Sequence, residues 1–523
     1  MTDAPNNVNA GTSHAGVKEA AAPAGELVKA LGPLDATMIV MGSMIGSGIF
    51  IVPATIAAQV GNPALLLTVW IASGVMTLIG ALSYGELAAM MPRAGGQYVY
   101  LRESLGPLWG FLYGWTMLLV IQTGTIAAVA IAFAKFFGVL VPWFSASSWL
   151  WRLGTLGPYQ LGFVELGPYN IGLNTQNLLA IVSIVVITAI NTRGLRIGAL
   201  VQNVFTITKT GALAALVLLG FWFSTALART SNAAMFWRNS GPLALHPYPP
   251  DHSTWMLSSV TVVGVAMVGA LFSSDAWNNV TFTAGEVRAP SRTLPLSLGL
   301  GTLIVTSLYF LANVAYLRVL PFVGDTHGAT ALARGMQYAT DGRVGTAFAE
   351  VIFGPGGAAL MAVAIVISTF GCNNGLILSG ARIYYVMAKD KLFFRSAGAV
   401  NRHHAPGVAL WVQCLWAAVL CLSGTYSQLL NFLIFAVLIF YMLTLTGLFV
   451  LRFKRPDATR PYRAIGYPVL PALYLLMAGF IEVQLLRYEP QDTWPGLMIV
   501  LLGVPVYALW RLRGRGTTTP ADA

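Results

Sequence analysis

Apolar and polar positions alternate in long blocks, dividing the chain into about twelve uninterrupted hydrophobic segments. They begin near Ala36, Ala64, Leu108, Thr175, Ile197, Met256, Leu294, Thr346, Val408, Gln428, Pro468 and Leu497. Segments of about 20 apolar residues match the ~30 Å hydrocarbon core of a bilayer, and in lipid a single segment satisfies its own backbone only as a helix. The segments use most of the 523 residues, leaving tails and connections and no separate soluble catalytic module. The stretch before Gly32 is rich in Ala, Asn and Gly with scattered charges, and a disordered tail is expected there. It lacks the basic region, apolar run and small-residue cleavage site of a secretory signal, so the first span is expected to be retained.

Two segments break the helical pattern. "MGSMIGSGIF", Met41 to Phe50, holds three glycines and two serines in ten residues, and each glycine weakens a helix by roughly 1 kcal/mol relative to alanine. "GALFSSDAWNNVTF", Gly269 to Phe282, puts small and polar residues in the middle of the sixth segment, Asp275 among them. The first stretch opens one block of five segments and the second opens the next. Interruptions at matching positions in two halves point to a transporter built from inverted repeats, with substrate at their interface. A chain unwound through Gly46, Ser47 and Gly48 would aim the N–H groups of the following half-helix, Ile49 onward, into one space backed by the positive end of the dipole, which suits a carboxylate. The carbonyls ending the preceding half, near Met44 and Ile45, would suit an ammonium group. A second reading is that Gly42 and Gly46, spaced GxxxG, serve close helix packing.

Composition fixes the solvent. The chain is 56% hydrophobic and 9% charged, with mean hydropathy +0.70, whereas a soluble domain carries about 25% charged residues. The net charge of +11 is unevenly placed: with both termini cytoplasmic, 21 basic residues fall inside and 7 outside, the latter being Arg152, Arg229, Arg238, Arg318, Arg334, Arg343 and Arg487. That bias predicts a multi-pass protein of the cytoplasmic (inner) membrane with its basic face against anionic lipid. There is no basic patch on a folded domain, so a nucleic-acid partner is excluded. Cys372, Cys414 and Cys421 lie within or beside spans, which excludes a disulfide framework and a disulfide-linked partner, and no zinc or other cofactor spacing is present. All six histidines lie in tails or connections; an intramembrane hydrolase would need a base or metal ligand at depth, so an enzyme is not expected. A channel would show rings of pore-lining charge, and a sensor would carry a soluble output domain; neither pattern is seen.

Lys209 lies in the fifth segment, "QNVFTITKTGALAALVLLGF", about three helical turns from either polar flank. An ammonium at that depth must pair, bind carbonyls or lose its proton. It either replaces a coupling cation, bridging the unwound first helix to Ser368 and Thr369 of the eighth, or reaches the cytoplasmic surface through a helix tilt. Other polar residues also carry two readings. Glu86, Arg93, Arg102 and Glu103, with the Gly95–Gly96 loop, form either an inner gate or a solvated salt bridge. Glu482 marks an oligomer contact or sits near the surface, and Lys135 is expected to snorkel.

Five stretches carry a joint signature: "GSMIGSGIF" (42–50), "YGELAAMMPRAGGQYVYLRESLG" (84–106), Lys209 in its span, "WNNVTFTAGEVRAPSRTLPLSL" (277–298) and "STFGCNNGLILSGARIYYVMAKDKLF" (368–393). Together they resemble the amino acid, polyamine and organocation transporter superfamily, and within it the L-type amino acid transporter branch and its bacterial relatives. The resemblance implies an all-α polytopic membrane protein of LeuT-like fold with twelve transmembrane helices. Two inverted five-helix repeats, 32–224 and 225–455, would follow a tail over 1–31 and precede two further helices, 456–512, and a tail, 513–523. Helices 1 and 6 would be broken. It further implies sodium-independent transport of L-amino acids by alternating access, as exchange or, alternatively, proton symport.

By the family's pattern the unwound stretch Ile45–Gly46 leads to Ser47 and Gly48, which would hold the substrate carboxylate. Carbonyls of Met44, Phe272 and Asp275 would receive the α-amine, Phe272 would close over substrate as an outer gate, and Lys209 would stand in place of a sodium ion. Ser273 and Ser274 leave room in the wall for a substrate side chain. Eukaryotic members of the branch link a glycoprotein subunit through a cysteine between the third and fourth spans. Residues 141–173 contain none, so function without such a subunit is expected. Asp275 replaces a Gly or Ser of many relatives and would favour cationic substrates, bind a coupled proton, or face a neighbouring helix.

Overall fold

In the computed structural model, residues 27–157, 159–161, 164–166, 169–238, 255–423, 426–488 and 490–515 are described. Several helices start where the sequence offers a cap or a proline. Helix α1 (Pro33–Met44) begins with Pro33 at its first position while the Asp35 carboxylate accepts from the N–H of Gly32 at 2.8 Å. After a break comes α2 (Gly48–Val60), inclined 40° to α1. Helix α3 (Pro63–Met90) is capped by Asn62, whose side chain accepts from Leu65 N–H. The short α4 (Gln97–Ser104) leads to α5 (Pro107–Thr116), which continues through a π turn, Met117–Ile121, into α6 (Gln122–Leu140). Then follow α7 (Thr175–Thr192), α8 (Leu195–Trp222) and α9 (Ala226–Ala234).

The second half opens with α10 (Trp255–Ser273), a break, and the single turn α11 (Asn279–Phe282). Helix α12 (Pro290–Val319) is followed by α13 (Ala331–Arg334), α14 (Val344–Phe353), α15 (Pro355–Lys389), α16 (Gly407–Ser423), α17 (Tyr426–Lys454), α18 (Val469–Tyr488) and α19 (Pro490–Arg515).

Among the described residues nine helices are long and apolar enough to cross a membrane, and the bent pair α1 and α2 makes a tenth span. Shorter apolar helices cover Ser259–Ser273, Val344–Phe353 and Gly407–Leu422; counting α10 and α16 as spans would give the twelve expected. The fold is that of a polytopic helical membrane protein whose two interrupted helices occupy the centre. Residues 39–50 and 270–284 are all buried, as befits helices surrounded by other helices. Around α1 stand α8, α12 and α15, while α10 contacts α2, α3, α17 and α18.

Three boundaries differ from the sequence reading. The eighth span begins at Pro355, not near Thr346: Gly354 holds φ 70, a left-handed conformation that ends α14, and Pro355 starts a new helix at N1. The connection 141–174 adds strands to a chain expected to be all-α: β1 (Trp149–Leu156) pairs antiparallel with β4 (Tyr169–Asn174), and β2 (Tyr159–Leu161) pairs with β3 (Val164–Leu166). The tail expected over 1–31 lies outside the described residues as far as 26, but its end is held. Ala30 and Leu31 N–H groups both donate to the Glu286 carbonyl at 2.9 Å, and Arg288 N–H returns a bond to Leu31 O.

Candidate functional site

The chain stops being helical at Ile45, whose φ −75 and ψ 94 are extended, and resumes at Gly48. A helix ended at mid-membrane leaves carbonyls without intrahelical partners, and in lipid each must be satisfied. Five consecutive carbonyls are. Gly42 O accepts from Lys209 Nζ at 2.5 Å, Ser43 O from Cys372 Sγ at 3.0 Å, and Met44 O from Tyr309 Oη at 2.9 Å. Ile45 O accepts from Lys209 Nζ at 2.7 Å and Ser368 Oγ at 3.3 Å, and Gly46 O from Ser368 Oγ at 3.2 Å.

Lys209 is 2% exposed, and its third proton goes to Ser368 O at 3.3 Å. A side chain so enclosed does not reach the surface, so the helix-tilt reading is excluded. The ammonium sits at the negative end of α1 in a cage of main-chain oxygens. Thr369 does not join it: its hydroxyl bonds back to Ile365 O at 2.8 Å and Val366 O at 3.1 Å within α15.

The glycines of this stretch divide between helix packing and the break. A Cβ on Gly42 would stand 2.0 Å from Gln202 Nε2 and 2.2 Å from Thr206 Oγ1, so Gly42 serves helix packing against α8. Gly46 belongs to the break. A Cβ on Gly48 would stand 2.3 Å from Ser273 Oγ and 2.9 Å from Ser273 Cα. The start of α2 and the end of α10 therefore touch, which brings Ser47, Gly48, Phe272 and Ser273 to one locus and leaves no gap between Gly48 and Ser273.

At the second break Ser274 N–H is shared between Ala270 O and Leu271 O, and Asp275 N–H donates to Phe272 O at 3.1 Å. Ala276 holds φ 65, costly for a residue with a Cβ, and Asn279 N–H closes on its carbonyl. This strained turn swings Asp275 toward α17, where its Oδ1 accepts from Tyr441 Oη at 2.6 Å. Beyond it lies a small cavity of about 20 Å³ bounded by Asp275, Asn278, Gln122, Thr125, Tyr113 and Tyr441, among others. The π turn Met117–Ile121 forms part of its wall, a helix irregularity that recurs at functional sites.

The loop of Gly95 and Gly96 lies against the far side of this second break. Gly95 N–H donates to Phe282 O, a Cβ on Gly96 would strike Thr281, and Asn278 Nδ2 donates to Gln97 Oε1 at 2.8 Å. Glu86 is not solvated: it is fully buried, accepts from Arg452 Nε and Nη2 at 2.9 and 2.6 Å and from the N–H of Ala464, and forms an ion pair with Arg460 at 3.2 Å. Arg102 pairs with Asp390 and with Glu103, which also lies 3.8 Å from Arg455, while Arg93 is exposed. Lys135 donates to Asp341 O at 3.1 Å in the connection before α14. Glu482 is buried, and its Oε1 has no hydrogen-bond partner among the described residues.

Sequence reasoning missed Tyr309, Cys372 and Tyr441, which act at a distance of hundreds of residues from their acceptors. It also missed the fully buried pair Glu286 and Arg382, joined at 2.9 and 3.1 Å. Both charged residues stood inside the quoted motifs, and a carboxylate and a guanidinium in otherwise apolar surroundings were the available signal.

Comparison with known proteins gives a consistent result. The family model described as Amino acid permease matches residues 31–507. The chain is similar to the large neutral amino acids transporter small subunit 2 of Mus musculus, 29% identical over 484 residues covering 92% of this chain and 81% of that protein. It is similar to the serine/threonine exchanger SteT of Bacillus subtilis (strain 168), 27% identical over 489 residues, 92% of this chain and 96% of the relative. The b(0,+)-type amino acid transporter 1 of Homo sapiens is 28% identical over 477 residues, 91% and 86% of the two chains.

Proposed function

The chain belongs to the amino acid permease family, and from that premise we propose that it exchanges L-amino acids across the cytoplasmic membrane without sodium, by alternating access, with both termini cytoplasmic. It is a transporter and not an enzyme. The observation that carries sodium independence is the Lys209 ammonium held by the carbonyls of Gly42, Ile45 and Ser368. A fixed positive charge in that cage removes the vacancy that a coupled cation would fill. The relatives whose names specify amino acid transport or serine/threonine exchange support the cargo and the mode.

In this reading the N–H groups at Ser47 and Gly48 take the substrate carboxylate, and carbonyls of Phe272 and Asp275 take the amine. The Met44 carbonyl contributes its second lone pair beside the Tyr309 bond. Phe272 closes the outer side. Because Gly48 and Ser273 are in contact, substrate entry requires α2 and α10 to separate, which is the movement alternating access supplies. The substrate side chain extends toward Asp275 and the cavity of about 20 Å³ beyond it, which widens in the same movement. The two five-helix blocks, 32–224 and 225–455, are taken as the inverted repeats that rock about this point. With no cysteine in 141–173, the transporter works without a disulfide-linked subunit.

Proton symport is the second reading, favoured by one observation: a buried carboxylate, Asp275, at the second break. Uptake of a labelled L-amino acid panel into proteoliposomes separates the two. Exchange requires preloaded unlabelled amino acid; symport proceeds into empty vesicles under an inward proton gradient. No uptake of any amino acid in either arm, with folded protein, would overturn the transport site assigned to the two breaks.

A further inference from the structure

An open groove of about 490 Å³ lies where the proposed cytoplasmic ends of α3 and α12 meet the connection between α17 and α18. Its walls are apolar: Leu82 from α3, Pro295, Leu296 and Leu300 from α12, and Pro461 and Ile465 from the connection. Leu296 is 54% exposed and Ile465 57%, so the groove faces outward from the helix bundle. The connection that forms one wall is rigidly built. Buried Glu86 on α3 holds Arg460 and the N–H of Ala464, and Arg460 also ties Pro456, Ala458 and Arg455 carbonyls together. The ring of Tyr462 lies close to Gly85 of α3 and lines the groove.

Charge is confined to one end of the groove. Arg292 and Ser291, in the first turn of α12, line that end, and among the described residues no carboxylate lines the groove. Arg382, Arg452 and Arg460 are each paired with a glutamate, whereas the exposed Arg292 side chain makes no ion pair or hydrogen bond among the described residues. Arg463, beside Tyr462 in the chain, is also exposed. An apolar groove ending in an unpaired guanidinium and a hydroxyl suits a phospholipid in shape and charge. Its acyl chain would lie along Leu296 and Leu300, and its phosphate would meet the fork of Arg292.

We propose that this groove binds an anionic phospholipid of the cytoplasmic leaflet, with Arg292 as the headgroup contact. Only the leaflet assignment rests on the orientation given above. The exchange assay is a separate measurement, so failure of one reading leaves the other standing. The test is native mass spectrometry of the full chain in detergent, supplied with phosphatidylglycerol or phosphatidylethanolamine of identical acyl chains. Wild type is expected to retain phosphatidylglycerol preferentially, Arg292→Ala to lose that preference by roughly fivefold, and Arg292→Lys to keep most of it. Leu296→Trp, which fills the groove, is expected to reduce retention of both lipids. Equal retention of the two lipids by wild type, or undiminished phosphatidylglycerol on a folded Arg292→Ala protein, would overturn the proposal.

Discussion

Replacing Lys209 by alanine is the most direct probe of the site. Truncation removes the donor that Gly42 O meets at 2.5 Å and one of the two that Ile45 O meets, leaving Ile45 with Ser368 Oγ at 3.3 Å. A buried carbonyl left unsatisfied costs about 1–3 kcal/mol, and loss of a cation at the C-terminal end of a helix costs up to about 2 kcal/mol more. Against this stands the relief of no longer burying a charge, which offsets part of the total. A net loss of about 3 kcal/mol in the arrangement of the break corresponds to roughly 100-fold in rate. The assay is counterflow of a labelled amino acid in preloaded proteoliposomes, with the thermal midpoint in detergent as a check on folding. Lys209→Ala is expected to be folded and at least about 100-fold slower. A folded variant exchanging within about threefold of wild type would refute the view that the ammonium organises the unwound helix.

Glu286→Gln leaves Arg382 buried without its carboxylate; breaking such a pair costs about 3–5 kcal/mol, so the thermal midpoint should fall sharply, while a double substitution to methionine at both positions should recover part of the loss. An unchanged midpoint in Glu286→Gln would show that the pair is not coupled to folding. Gly48→Ala forces a methyl to within 2.3 Å of Ser273 Oγ and should slow exchange by about tenfold or more, whereas Gly211→Ala, with nothing within 4 Å of the new methyl, should exchange normally. Equal rates for these two alanine variants would remove the close contact between the two breaks from the mechanism. Tyr441→Phe deprives the Asp275 carboxylate of a donor at 2.6 Å, worth about 1.5–3 kcal/mol; steady-state exchange kinetics should show a change of about tenfold or more in KM or in maximal rate. Kinetics identical to wild type would mean that the pair lies outside the substrate path.

Much was determined by the sequence alone, because membrane spans are specified by local composition. The spans, the two interruptions and the depth of Lys209 are all properties of a contiguous window, since a helix in lipid satisfies its own hydrogen bonds whatever surrounds it. Positive φ at Gly354 followed by Pro355 was equally local, yet the apolar run of α14 hid it: hydropathy does not register a break between two apolar helices. The β pairing of 149–174 went unread because strand pairing depends on partners some twenty residues apart. What only the tertiary structure decided is which donor meets which carbonyl. Sequence placed Lys209 near the break and could equally have sent it to the surface. The choice followed from α8, α12 and α15 standing around α1, so that Lys209, Tyr309, Ser368 and Cys372 converge on five consecutive carbonyls. Thr369 was excluded by one residue of helical phase, about 100° of rotation, which turns its hydroxyl back to its own helix. An interruption can be read from a chain in isolation, but its satisfaction depends on groups far apart in sequence, and packing alone brings those together.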